Sequence, residues 1–204
     1  MKTLFIPVKF KDKIKSSLIN EISEKLPKKI AICYSVQFEN QAKEIRNNLK
    51  EKEITDFIQV LGCSNPRLKS NPEAILLIGE GKFHSVSLEY ETKIPVFLVE
   101  NNKLIKVSKE EVEKKEKLEK GAYLKFLNSK NVGVLITTKP GQSKLNRALE
   151  LKNKLKNKKT YFFLGNELSV KEFENFKIDS WINTACPRMD LEDSRIINMN
   201  KIKE

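Results

Sequence analysis

Short apolar runs alternate along this chain with longer stretches whose apolar residues recur every third or fourth position. That alternation is the mark of strands and helices taken in turn. Thr3 to Phe10 alternates weakly over a strand's length, with Pro7 restricting it to an edge. Asp12 to Leu26 places Ile14, Leu18, Ile22 and Leu26 on one helical stripe, which Pro27 closes. Ile30 to Val36 reads as a buried strand and Glu39 to Glu53 as a helix with Ala42, Ile45 and Leu49 inward. Phe57 to Leu61, Ala74 to Ile78 and Pro95 to Val99 are the next strands.

Lys109 to Leu127 predicts a highly charged helix linking two units, with Glu110/Lys114, Glu113/Lys117 and Glu116/Lys120 at helical spacing. The second unit repeats the plan: a strand Val132 to Thr137, a helix from Ser143 to about Lys156, and strands Tyr161 to Leu164 and Ser180 to Asn183. Ile30 to Gln37 matches Val132 to Lys139, and Leu61-Gly62-Cys63 matches Leu164-Gly165-Asn166, an offset of about a hundred residues. The expected fold is α/β, with two similar domains, each a small parallel β-sheet flanked by helices.

Charge adds one question and composition closes others. Across 204 residues, 39 lysines and arginines against 27 acids give a net charge of +12. Such a surface attracts nucleic acid or acidic proteins, or is the solvated exterior of Lys/Glu-rich helices. Without an arginine-rich cluster or an aromatic platform, direct nucleic-acid binding is not expected. No apolar run approaches the roughly 20 residues of a membrane span. Leu4 to Val8 is too short for a signal peptide's hydrophobic region. The expected location is therefore the cytoplasm, with no membrane partner. There, three cysteines are not expected to form disulfides, which leaves packing, metal ligation or catalysis.

Several unusual loops fall at the carboxyl ends of the expected parallel strands, the edge where open α/β sheets bind ligands. Gly79-Glu80-Gly81-Lys82-Phe83-His84 follows one strand. Its glycines permit close approach of a ligand or make a tight turn, and His84, the only histidine, is a base, a donor or a local hydrogen-bonder. Lys139-Pro140-Gly141-Gln142 precedes a helix, where free N–H groups and the lysine would hold an anion, or the proline and glycine merely shape a turn. Cys63 and Cys186 each follow a strand, and neither belongs to a Cys-x-x-Cys pair, so a self-contained zinc ribbon is not expected. Cys33, between Ile32 and Tyr34, is placed for packing.

Taken in order, Leu61-Gly62-Cys63, Ile78-Gly79-Glu80-Gly81-Lys82-Phe83-His84, Thr138-Lys139-Pro140-Gly141-Gln142 and Trp181-Ile182-Asn183-Thr184-Ala185-Cys186-Pro187-Arg188 resemble the diphthamide synthase family, the 2-(3-amino-3-carboxypropyl)histidine synthases. The resemblance implies three similar α/β domains, each giving one cysteine to a single 4Fe-4S cluster. S-adenosylmethionine binds the open iron, and its cleavage yields a 3-amino-3-carboxypropyl radical that attacks a histidine of translation elongation factor 2. By position, Cys63 and Cys186 are the implied cluster ligands. Gly79, Gly81, Lys82, His84, Lys139, Gly141, Gln142 and Arg188 are candidates for the S-adenosylmethionine or active-site loops. Glu80 and Lys82 stand where the family has aspartate and arginine, keeping charge but changing reach and geometry.

The resemblance further implies that residues 1–27 are the last strand and helix of the family's first domain, 28–108 its second domain and 109–204 its third. The first-domain cysteine is then expected on a partner polypeptide. An apolar patch is expected where that domain would sit, along Thr3 to Val8 and the stripe Ile14, Leu18 and Ile22.

Overall fold

The computed structural model describes residues 4, 6, 8–61, 66–168, 170–173, 175–191 and 194–202. The chain divides into two compact units, Met1–Glu113 and Lys114–Glu204.

In the first unit, α1 (Ser16–Lys25) precedes β1 (Lys29–Tyr34), α2 (Glu39–Asn48), β2 (Glu53–Gln59), β3 (Ala74–Ile78), α3 (Lys82–Thr92), β4 (Val96–Glu100) and β5 (Lys103–Lys106). The sheet order is β2-β1-β3-β4-β5, parallel except for β5. β4 and β5 form a hairpin through Asn101 and Asn102, whose φ of 50° and 57° are the left-handed values a tight two-residue turn requires. Asn102 also accepts the Lys15 N–H at 2.9 Å, which supplies the polar cap that Lys15 does not give α1.

Alternation along the strands explains both cores. Ile30, Ile32, Leu76, Ile78 and Val99 pack against Leu18 and Ile22 of α1 and Ala42 and Ile45 of α2. The intervening Ala31, Cys33, Ile75, Leu77 and Leu98 pack against Leu88 of α3 and Val107. With both faces covered, β1 and β3 read as continuous apolar runs.

The second unit holds the rest of α4 (Lys109–Asn128), then β6 (Asn131–Thr137), α5 (Leu145–Lys154), β7 (Lys159–Gly165), β8 (Ser180–Asn183) and β9 (Ile196–Asn198). Its sheet is wholly parallel, in the order β7-β6-β8-β9. One face packs Val132, Val134, Ile136, Ile182 and Ile197 against Ala122 and Phe126 of α4 and Ala148 of α5. The other packs Leu135, Trp181 and Ile196 against Phe163, Phe173 and Met189. Trp181 lies across β6, where a Cβ on Gly133 would fall 2.3 Å from its ring, so glycine is required there.

The expected α/β architecture with its parallel sheets is therefore what the chain adopts, and both sheets share the strand order second-first-third-fourth. Three expectations fail. Leu4, Ile6 and Val8 are not in a strand and are 82, 75 and 74% exposed, because weak alternation without a neighbour to complete the ladder does not make a strand. Leu18 and Ile22, expected on an exposed patch, are 1 and 0% exposed because their own unit's sheet covers them. The helix expected to reach Glu53 ends at Asn48, and Glu53 already begins β2. Among the described residues no helix is long and apolar enough to cross a membrane.

Candidate functional site

In the first unit the β3–α3 turn sits at the carboxyl edge of the sheet. Gly79 is buried; its N–H donates to the Val99 carbonyl at 3.2 Å, and an added Cβ would lie 3.1 Å from the Ser35 Oγ. Gly81 has φ +86° and donates its N–H to Glu100 Oε1 at 2.6 Å, so the turn is closed by a carboxylate from the next strand. Lys82 pairs with Glu111 at 3.3 Å. The half-buried His84 donates its N–H to the Gly81 carbonyl at 3.3 Å and sets its ring at 62° to Phe83. Gly79, Gly81, Lys82 and His84 thus form one contiguous turn and first helical turn. Gly62 and Cys63 lie outside the described residues. What holds the far side of that loop is described: Asp56, buried in β2, accepts the Lys69 N–H at 3.1 Å.

In the second unit two loops leave adjacent strands, β6 and β8, at the same edge. After β6, the buried Thr137 hydroxyl donates to the Asn166 carbonyl at 3.1 Å and accepts the Lys139 N–H at 3.1 Å. Gln142 N–H donates to the Lys139 carbonyl at 3.1 Å across a turn in which Gly141 has φ +77°. The Lys139 ammonium is 3.4 Å from Glu167, an exposed pair of small energetic weight.

After β8 the chain is tied down residue by residue. Thr184 gives both its N–H and its hydroxyl to the Leu135 carbonyl, at 3.2 and 2.8 Å, joining this loop to β6. Ala185 N–H donates to Asn183 Oδ1 at 2.9 Å, and Asn183 Nδ2 donates to the Cys186 carbonyl at 2.7 Å. Asn198 on β9 accepts from Asn183 Nδ2 at 2.7 Å and donates to the Pro187 carbonyl at 3.1 Å. Cys186 itself is exposed and free, and Arg188 stands exposed in the 3-10 turn Pro187–Leu191 that follows. An exposed thiol on an immobilised backbone suits a soft-metal ligand. Among the described residues no group of three His, Cys, Asp or Glu could hold a metal alone.

Cys33 is placed as expected. It is 0% exposed in mid-strand, and burial, followed by the nearby Asp56 charge, pushes its thiol up to about 12. Asn183, Thr184 and Asn198 were not among the expected site residues. Polar residues ending otherwise apolar strands were the available signal.

The model of the diphthamide synthesis protein family matches residues 1–196 of this chain. The chain belongs to the diphthamide synthesis family. It is 26% identical to the 2-(3-amino-3-carboxypropyl)histidine synthase of Pyrococcus horikoshii over 94% of this chain and 60% of that one. It is 28% identical to the synthase of the same name from Methanocaldococcus jannaschii, over 95% of this chain and 57% of that one. The chain thus spans about 60% of the length of these curated relatives. The crystal structure of Dph2 from Pyrococcus horikoshii is similar in fold over 90% of this chain and 58% of that one, with TM-score 0.76 and 25% identity. A second Dph2 structure from that organism, solved with a 4Fe-4S cluster, covers 91% of this chain and 60% of its own, with TM-score 0.78 and 24% identity.

Proposed function

We propose that this chain is part of a 2-(3-amino-3-carboxypropyl)histidine synthase acting in the first step of diphthamide biosynthesis. Residues 1–27 serve as the closing element of a first domain, 28–108 as the second and 109–204 as the third. The part of the family's length that residues 1–204 do not span supplies the remaining cysteine. The reaction transfers the 3-amino-3-carboxypropyl group of S-adenosylmethionine to a histidine of translation elongation factor 2, in the cytoplasm. The observation that carries the reading is Cys186, exposed at the carboxyl end of β8 with its backbone held by Asn183, in a chain that belongs to this family.

Cys186 and Cys63 are the two thiolates this chain offers to a 4Fe-4S cluster. Held by these two thiolates and a third, such a cluster would supply the electron for cleaving the sulfonium of S-adenosylmethionine. The protein's part is orientation and charge. The turn Gly79 and Gly81 lets substrate approach the backbone, with Lys82 and His84 offering donors beside it. Lys139, Gly141, Gln142 and Arg188 border the Cys186 loop's own sheet edge, where a cation suits the substrate carboxylate.

Anaerobic reconstitution with iron and sulfide tests the reading. The isolated chain should retain little cluster after gel filtration, since two thiolates leave irons without protein ligands. Adding a polypeptide that carries the remaining part of the family's length, together with a chemical reductant, should restore cluster absorbance and S-adenosylmethionine cleavage together. Cys63→Ala and Cys186→Ala should each lower the iron content, and Cys33→Ala should leave it unchanged. Modification of elongation factor 2 at an enzymatic rate by residues 1–204 alone, as a monomer, would overturn the need for that further part. An assembled complex whose cleavage is indifferent to Cys186→Ala would make this chain an accessory subunit instead.

A further inference from the structure

Asn183 and Asn198 face each other across β8 and β9, in register and 2 and 7% exposed. A buried amide is costly unless its donors and acceptors are used. Here three of their bonds converge on one short loop. Asn183 Oδ1 takes the Ala185 N–H, Asn183 Nδ2 reaches the Cys186 carbonyl, and Asn198 Nδ2 reaches the Pro187 carbonyl. The Ala185 N–H and the Cys186 carbonyl fix which end of Asn183 is acceptor and which is donor, and its Nδ2 then also donates to Asn198 Oδ1 at 2.7 Å. Three successive backbone groups are held from below, and Met189 N–H closes back onto the Cys186 carbonyl at 3.2 Å. The thiol is the part left exposed.

We propose that the Asn183–Asn198 amide pair is a positioning device that fixes the direction of the Cys186 thiol for iron, with Asn198 acting through Asn183 and the Pro187 carbonyl. This rests on the reading of Cys186 as a cluster ligand. Apolar residues on β8 and β9 would leave the Ala185 N–H and the Pro187 carbonyl without these partners, so the two amides hold the loop in one conformation. Their value lies in orientation, and a ligand displaced by about an ångström loses much of its function.

Replacing Asn183 can unfold the unit, so Asn198→Ser, beside Asn183→Asp, carries the test. The full chain is held anaerobically with ferrous iron and sulfide in excess. Alkylation of Cys186 is then read by mass spectrometry with and without the metal, with buried Cys33 as internal control and thermal unfolding measured alongside. In the unsubstituted chain, iron and sulfide should slow Cys186 alkylation. In Asn198→Ser that protection should fall by about tenfold, while the thermal midpoint changes little and amide exchange at Ala185 rises. Full protection in a folded Asn198→Ser chain with faster exchange at Ala185 would overturn the positioning role and leave the ligand reading standing. Absence of protection in the unsubstituted chain, with a polypeptide carrying the remaining part of the family's length also present, would overturn the ligand reading itself, and the positioning role with it.

Discussion

At the amino-terminal edge of their sheets, the two units make the same bonds with different residues. Glu73, just before β3, accepts the N–H of Lys29 at the start of β1, at 3.2 Å. Asp179, just before β8, accepts the N–H groups of Lys130 and Asn131 at the start of β6, at 3.0 and 2.7 Å. Lys52, before β2, donates to the Leu26 carbonyl that ends α1, at 2.6 Å. Lys158, before β7, donates to the Phe126, Leu127 and Ser129 carbonyls that end α4, at 2.8, 2.9 and 2.8 Å. At the carboxyl edge the likeness stops. After β3 the chain turns through Gly81 into α3, whereas after β8 it turns through Cys186 into a 3-10 turn. The shared edge satisfies helix ends and starts strands, which any such unit needs. The divergent edge is free to carry chemistry, and that is where the candidate loops lie.

The largest effect that separates interior from edge should be thiol reactivity. With its thiol pushed up to about 12, Cys33 holds a thiolate fraction of about 10⁻⁴ at pH 8, and it is also shielded. Timed alkylation of the native chain should label the exposed Cys186 orders of magnitude faster than Cys33, and comparable rates would erase the distinction.

The next effect concerns how the two interiors divide their volume. Ala31 pairs with Ile75 in the first sheet, where Gly133 pairs with Trp181 in the second. Gly133→Ala should cost about 3 kcal/mol in denaturant unfolding, because the indole has no room to retreat. Adding Trp181→Leu should recover part of that loss, and strict additivity would mean the clash is not the cause.

A smaller effect distinguishes the two lysines at helix ends. Lys158→Met should destabilise by about 2 kcal/mol and Lys52→Met by about 1, in line with three carbonyls against one. Equal losses would show that the two additional carbonyls at Lys158 add nothing to stability.

The smallest effect is acid sensitivity. Backbone N–H groups of Asn131 and Lys130 hold the Asp179 carboxyl below the usual aspartate range. The folded state therefore binds that proton less readily. The stabilisation is complete above the ordinary value of about 4 and is lost as pH falls through the folded value. Asp179→Asn should lower stability at neutral pH and converge with the unsubstituted chain in acid. A gap that persists at low pH would assign the effect to packing.

Legibility in the sequence followed the same division. Ala74–Ile78 and Ser180–Asn183 were readable to the residue because buried parallel strands are continuous apolar runs between polar breaks. α3 was not, since Lys82–Thr92 buries only Ser85 and Leu88 and so carries little stripe. β5 and β9, of four and three residues, are too short for any period to show. That is why Asn198 escaped notice, although its partner Asn183 stands inside a recognisable motif. The Cys186 loop was legible through its residue order, whereas the amide bonds holding it depend on a register between β8 and β9 that no local pattern announces.

The packing around Trp181 also makes the molecule self-reporting. Trp181 is the chain's single tryptophan, 2% exposed, with Phe163 and Phe173 at ring-centroid distances of 4.9 and 5.4 Å. Excited at the indole band, the folded chain should emit as a buried fluorophore does, at short wavelength, and the signal belongs to the second unit alone. Circular dichroism sums over both units. If the two signals melt together, the units unfold as one cooperative block; if they part, the emission isolates the stability of the unit that carries Cys186, with no label added.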